Sequence, residues 1–98
     1  MRSQAELMQA IEYVRARTQS YLVPQWASWG SPLKEMLELL DQVEARVRTG
    51  APAGAAYSDV RIGLYAVRNL EELDAGNLSL DICKLDNALK DREVVPPS

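Results

Sequence analysis

Apolar residues recur at steps of three and four along most of the chain, the spacing that places them on one face of an α-helix. The clearest run lies in Ser31–Arg48, and its apolar members are Leu33, Met36, Leu37, Leu39, Leu40, Val43 and Val47. Ser31 is predicted to cap this helix and Pro32 to occupy its first position, so that the helix covers residues 32–49. So broad a stripe requires partners on at least two sides, and the other helices are expected to pack around it.

Three further segments carry the same spacing. The first helix is predicted over residues 4–22, because Ser3 opens a capping box and Pro24 disfavours a helical residue before it. The third is predicted over residues 58–74, with Arg61, Tyr65, Arg68 and Glu72 on its solvated face. Its expected buried positions are Val60, Leu64, Val67 and Leu70. The fourth is predicted over residues 78–91, and its apolar face consists of Leu78, Ile82, Leu85 and Leu89.

The remaining segments define how these helices are connected. Gly50–Ala56 reads GAPAGAA and is interpreted as a flexible linker, since neither side of it has enough residues for its own core. Residues 94–98 contain two prolines and are expected to form a flexible C-terminal tail. Gly63, inside the third helix, is expected to allow close approach of another backbone. The predicted fold class is all-α, with four helices in two antiparallel hairpins packed as a small bundle, in one domain over residues 1–93.

Composition and charge narrow the class of protein. The 98 residues are 47% hydrophobic and 26% charged, as in a single globular domain. A net charge of −3 without a concentrated basic face disfavours binding to nucleic acid. No apolar stretch approaches the roughly 18 residues that a membrane span needs, and the N-terminal segment lacks the apolar run of a signal peptide. With Cys83 as the single cysteine, an internal disulfide is excluded. A cytoplasmic protein is expected.

Side chains that usually carry catalysis are scarce. The sequence holds no histidine, which removes imidazole bases and histidine metal ligands. Cys83 lies in an amphipathic segment and is interpreted as a packed residue rather than a nucleophile. The acids Glu71, Glu72 and Asp74 are clustered, but their spacing matches no metal-binding loop and indicates no cleft. We therefore expect no enzyme activity, metal or cofactor, with a carboxylate-based enzyme or metal binder as the alternative.

Aromatic and acidic residues are the candidates for partner binding. Trp26 and Trp29 occupy one short connection, where they either seal the end of the bundle or serve as aromatic anchors in an interface. The clustered acids are either a solvated edge or a patch that recognises a basic partner. The complete set of candidate partner-binding residues is Trp26, Trp29, Tyr57, Tyr65, Glu71, Glu72 and Asp74.

Several segments together resemble a known family. Ala10–Val14 lies in the first helix, an aromatic-containing connection precedes the leucine-rich second helix, and a small-residue linker follows. Ile62–Arg68 contains Gly63 and an Ala-Val-Arg run, and an acidic turn then leads into a leucine-bearing last helix. This layout resembles the small helical immunity proteins that neutralise an NAD(P)-degrading effector of bacterial type VI secretion. The resemblance covers most of residues 4–90, its most specific part is the third-helix run, and the tryptophan-containing connection does not map onto the family.

The resemblance implies a non-catalytic cytoplasmic protein. Such a protein binds a cognate toxin domain tightly and covers the site at which the toxin cleaves the glycosidic bond of NAD or NADP. It implies no particular contact residue, so the aromatic and acidic candidates rest on physical reasoning alone. Two alternatives stay open. One is an immunity protein against another toxin class, such as a nuclease. Residues 51–98 carry eight acids and five bases, and this acidic half of the chain would mimic the charge of the nuclease's substrate. The other is a helical adaptor that self-associates into a homo-oligomer through its apolar stripes.

Overall fold

A computed structural model describes residues 4–50, 57 and 59–90. Within these residues the chain forms four α-helices and no strand: α1 (Gln4–Ser20), α2 (Gly30–Arg48), α3 (Ile62–Asn69) and α4 (Asn77–Leu89). Short 3₁₀ segments span Pro24–Trp29, before α2, and Leu73–Gly76, before α4. The predicted all-α, four-helix class is confirmed. The linker 51–56, Ser58 and the tail 94–98 lie outside the described residues.

The four helices form two antiparallel hairpins. The side-chain amide of Gln4, at the start of α1, donates a 2.7 Å hydrogen bond to the carbonyl of Val47, at the end of α2. In the second hairpin, Gly63 at the start of α3 lies beside Asp86 near the end of α4. The hairpins are joined mainly through α1 and α4, where the Arg17 guanidinium lies 3.1 Å from an Asp81 oxygen. None of the described helices combines the length and the apolar character needed to cross a membrane.

The core surrounds the apolar stripe of α2. Leu33, Met36, Leu40 and Val47 of this helix have no accessible surface. They pack in one cluster with buried residues from the other helices and turns, among them Leu7, Ile11, Ile62, Ala66, Leu70, Leu73, Leu78, Ile82 and Leu89. Burying a side chain of this size contributes roughly 1.5–3 kcal/mol to folding. The predicted apolar stripe of α2 is therefore part of the common core, and the helix packs against α1 and α3.

The start of α2 differs from the prediction. Helix α2 begins at Gly30, before Ser31, and no side chain caps it. The reason is that the 3₁₀ segment runs directly into the helix, so that backbone geometry replaces a side-chain cap: Gly30 is already helical and its N–H donates to the carbonyl of Ala27. The prediction of Ser31 as the cap is wrong.

The third helix is shorter than predicted, and part of its expected buried stripe is exposed. It covers eight residues instead of the interval 58–74. Val60 and Leu70 are buried as expected, but Leu64 and Val67 are 45% and 48% exposed. Ile62 and Ala66, four positions apart, face the core instead, and this orientation turns Leu64 and Val67 outward. In so short a helix the packing partner, rather than the local pattern, decides which face is buried.

Gly63 faces a side chain rather than the backbone predicted from the sequence. A Cβ at this position would lie 3.1 Å from Asp86 Oδ2 and 3.2 Å from Asp86 Cβ. Asp86 cannot easily yield, because its Oδ2 is 3.1 Å from Lys90 Nζ and the two side chains are only 14% and 8% exposed. Cys83 adds a weak contact at 3.7 Å from its sulfur to the Gly63 carbonyl. Glycine here lets α3 approach the buried ion pair of α4.

Replacing Gly63 with alanine is expected to destabilise the protein. Overpacking of this kind costs about 1–3 kcal/mol, which outweighs the gain of about 1 kcal/mol from the better helix former. Urea denaturation should show a lower midpoint for Gly63→Ala. The matched control is Gly30→Ala, also in a helix but with nothing within 4 Å of the added Cβ, and it should be neutral or slightly stabilising. Equal behaviour of the two variants would contradict this explanation of Gly63.

Candidate protein-interaction surface

The two tryptophans cover the end of the bundle and remain partly accessible. Both belong to the 3₁₀ segment Pro24–Trp29, in which Pro24 is well suited to the first helical position. Trp26 and Trp29 are half-buried and pack against the core. The two interpretations offered by the sequence are thus compatible, because each indole contacts the core and also presents surface to solvent.

Tyr21 connects this segment to the turn between α3 and α4. Its ring packs edge-on against Trp26, with the ring centroids 5.8 Å apart. Its hydroxyl donates a 2.6 Å hydrogen bond to Oδ2 of Asp74. Burial, followed by this hydrogen bond, raises the pKa of Tyr21, so the phenol stays protonated and remains a donor. The two residues are 53 positions apart, so no local pattern in the sequence indicates this contact.

The clustered acids have different surroundings. Glu71 is exposed but accepts a 2.9 Å hydrogen bond from the buried hydroxyl of Ser79. Asp74 is half-buried and is held by Tyr21. Glu72 is exposed, and no hydrogen bond or ion pair engages its carboxylate within the part of the chain that the structure describes. Of the three, Glu72 has the charge most available to a partner.

Tryptophan and carboxylates meet at one surface. A hollow of about 430 Å³ is lined by Trp29, Val67, Arg68, Asn69, Glu71 and Glu72. Tyr21 contacts both Trp26 and Asp74, which places these two residues at the same end of the bundle. We call the five residues Trp26, Trp29, Glu71, Glu72 and Asp74 the Trp–acid surface. The structure thus brings together five of the seven residues selected from the sequence.

The two candidate tyrosines lie elsewhere. Tyr57 is fully buried, with the Arg46 guanidinium 5.2 Å from its ring centroid, so it is a core residue and offers no surface to a partner. This corrects its selection as an anchor. Tyr65 donates a 2.9 Å hydrogen bond to Glu35 of α2 and lines a separate hollow of about 300 Å³ between α2 and the start of α3. Its surface is distinct from that of the tryptophans.

The described residues contain no group of three or more Cys, Asp or Glu side chains arranged to hold a metal ion. Burial raises the pKa of the Cys83 thiol, which disfavours the nucleophilic thiolate. Asp86 Oδ1 is the buried side-chain oxygen that lacks a hydrogen-bond partner among the described residues, but its Oδ2 is engaged by Lys90. These features belong to the interior packing between α3 and α4 rather than to a cleft.

Tyr65, a half-buried residue of α3 whose hydroxyl donates to Glu35 of α2, generates a pH prediction. Burial, followed by the hydrogen bond to Glu35, raises the pKa of Tyr65 from 10.0 to about 12. The pKa of Tyr65 is higher in the folded state than in the unfolded state, so the protonated phenol stabilises the fold. This stabilisation is complete below pH 10 and disappears as the pH rises from 10 to about 12. Phenolate absorbance of the native protein should therefore include the ionisation of one tyrosine near pH 12, and Tyr65→Phe should remove that part of the absorbance change. An absorbance change near pH 12 of the same size in Tyr65→Phe and in the unaltered protein would contradict this.

Comparison of the chain with protein-family models, with curated proteins and with solved structures finds no match. The resemblance to immunity proteins rests on the residues quoted for it in the sequence.

Proposed function

We propose that this protein is an immunity protein: a non-catalytic cytoplasmic inhibitor that binds a cognate bacterial toxin domain through the Trp–acid surface. The observation that carries the proposal is the convergence of Trp26 and Trp29 with Glu71, Glu72 and Asp74 at one end of the bundle. The resemblance described above supplies the toxin class, an NAD(P) glycohydrolase of type VI secretion whose active site would be covered.

The chemistry of this surface fits a protein partner with a basic face. Partly exposed tryptophans provide large apolar contact areas at little entropic cost, which is why they dominate binding energy at interfaces. Glu71 and Glu72 line the hollow beside Trp29, with Arg68 as its basic residue, and Asp74 follows in the next turn. Such a charge balance complements basic groups, including those with which a toxin attracts a phosphate-bearing substrate. Apolar anchoring would supply affinity, and the acids would supply orientation and association rate.

A nuclease toxin is the nearest alternative partner. Its substrate-binding face would also be basic, and the same carboxylates would complement it. The choice between these toxin classes rests on the family resemblance rather than on the geometry of the surface.

Self-association is a second candidate function, favoured by a different observation. Leu64 and Val67 on α3 and Leu80 on α4 are 45%, 48% and 55% exposed. Exposed apolar side chains on adjacent helices are candidates for contacts between subunits. Sedimentation over a wide concentration range would reveal a dimer, and Leu64→Asp would then restore the monomer.

The direct test is recovery of the partner. Tagged protein would be incubated with the native cell lysate, washed at low and then moderate salt, and its retained partners identified by mass spectrometry. Retention of one secreted-toxin domain, and inhibition of that domain in an NAD-consumption assay, is the expected result. Recovery of a nuclease domain would select the alternative toxin class, and recovery of only the protein itself would favour self-association.

Glu72→Gln is expected to weaken binding to the recovered toxin. The variant removes the most available charge of the Trp–acid surface while leaving the hydrogen bonds of Glu71 and Asp74 in place. We expect roughly ten-fold lower affinity, or about 1.4 kcal/mol, and a weaker salt dependence of the association rate. The matched control is Glu12→Gln, which removes the same charge from an exposed position in the middle of α1. Equal affinities of both variants and the unaltered protein would refute the electrostatic role of Glu72.

A further inference from the structure

We infer that Tyr21 is a positioning residue for the Trp–acid surface: its hydroxyl holds the turn that carries the three acids in a left-handed conformation beside the tryptophans. The consequence for binding rests on the proposed function. The effect of Tyr21 on the turn does not depend on a partner, so it is tested separately, on the free protein.

The turn before α4 has an uncommon backbone. Three consecutive residues have positive φ: Asp74 at 49°, Ala75 at 55° and Gly76 at 82°. Glycine adopts this region readily and aspartate tolerates it, whereas alanine is disfavoured there because its Cβ crowds the following carbonyl. Such a conformation persists only where surrounding contacts over-determine it. The Asp74 side chain therefore requires a fixed partner.

Tyr21 is such a partner because its own ring is immobilised on several sides. It is 6% exposed and packs edge-on against Trp26. The Arg17 guanidinium lies 5.9 Å from the ring centroid, and Arg17 is itself paired with Asp81 of α4. The hydroxyl that reaches Asp74 is thus presented from a rigid position, at the point where α1, α4 and the tryptophan segment meet. One side chain fixes the relative placement of the two parts of the surface.

The geometry connects this contact to the acid that is open to a partner. Glu72 lies two residues before Asp74, and backbone hydrogen bonds frame the turn on both sides. The N–H of Leu73 donates to Leu70, and the N–H of Asn77 donates to the Asp74 carbonyl. Release of Asp74 would let the turn relax and would move the carboxylate of Glu72 relative to Trp29. Binding would weaken through lost pre-organisation rather than through a lost contact, since Tyr21 is buried.

The test uses amide hydrogen exchange of the free protein, with Leu73 and Asn77 as reporters. Tyr21→Phe keeps the ring and removes the donor, so exchange at both amides should accelerate roughly ten-fold while the amides of α2 are unchanged. Asp74→Ala should have the same effect. Asp74→Asn retains an acceptor oxygen and should preserve slow exchange. The control is Tyr13→Phe, which removes a hydroxyl from a side chain that is 58% exposed. Unaltered exchange in Tyr21→Phe would overturn the inference.

Affinity for the recovered toxin separates this inference from the proposed function. One outcome would support both the positioning role of Tyr21 and the proposed function. In it, Tyr21→Phe shows accelerated exchange and roughly ten-fold weaker binding, while Asp74→Asn is near-normal in both measurements. Accelerated exchange with unaltered affinity would support control of the turn by Tyr21 and count against the Trp–acid surface as the binding site. Weaker binding with unaltered exchange would overturn the positioning role.

Discussion

The need to bury the apolar stripe of α2 on more than one side determines how the other elements are arranged. Helices α1 and α3 cover its two flanks, and α4 completes the bundle by packing on α1 and α3. With antiparallel neighbours throughout, the first and third connections must lie at the same end of the bundle. That end therefore receives both the Pro24–Trp29 segment and the acidic turn. Residues from distant parts of the sequence share a surface because of helix topology, with no attraction between them required.

Hydrogen bonding then distinguishes side chains that look alike in the sequence. Two of the three clustered carboxylates are engaged within the fold, Glu71 by Ser79 and Asp74 by Tyr21. Glu72 is exposed and has no internal donor among the described residues. A carboxylate that already accepts a hydrogen bond within the fold gains less from binding a new partner. The members of one acidic cluster can therefore differ in role, some stabilising the fold and others remaining available for recognition. The same reasoning separates Tyr57, enclosed in the core, from the tryptophans, which retain accessible surface.

The contact between α3 and α4 depends on an interior polar group rather than on apolar packing alone. Gly63 leaves room for Asp86, whose pairing with Lys90 is largely buried. A buried ion pair contributes little net stability, but a shifted alignment of the two helices would leave its charges uncompensated. This arrangement disfavours alternative alignments of a short helix whose own sequence pattern is weak.

The sequence by itself determined the all-α class, the existence of four helices and nearly the full extent of α1 and α2, because long stripes at helical spacing have few other ways to be buried. It also selected the residues of the Trp–acid surface from their chemistry. Only the tertiary structure decided that α3 is short, that Leu64 and Val67 face outward and that Tyr57 is enclosed. It also revealed the role of Tyr21, whose hydrogen bond spans 53 positions. Local periodicity indicates a helix and the face that is expected to be buried. Contacts between residues far apart in sequence arise only when the helices pack.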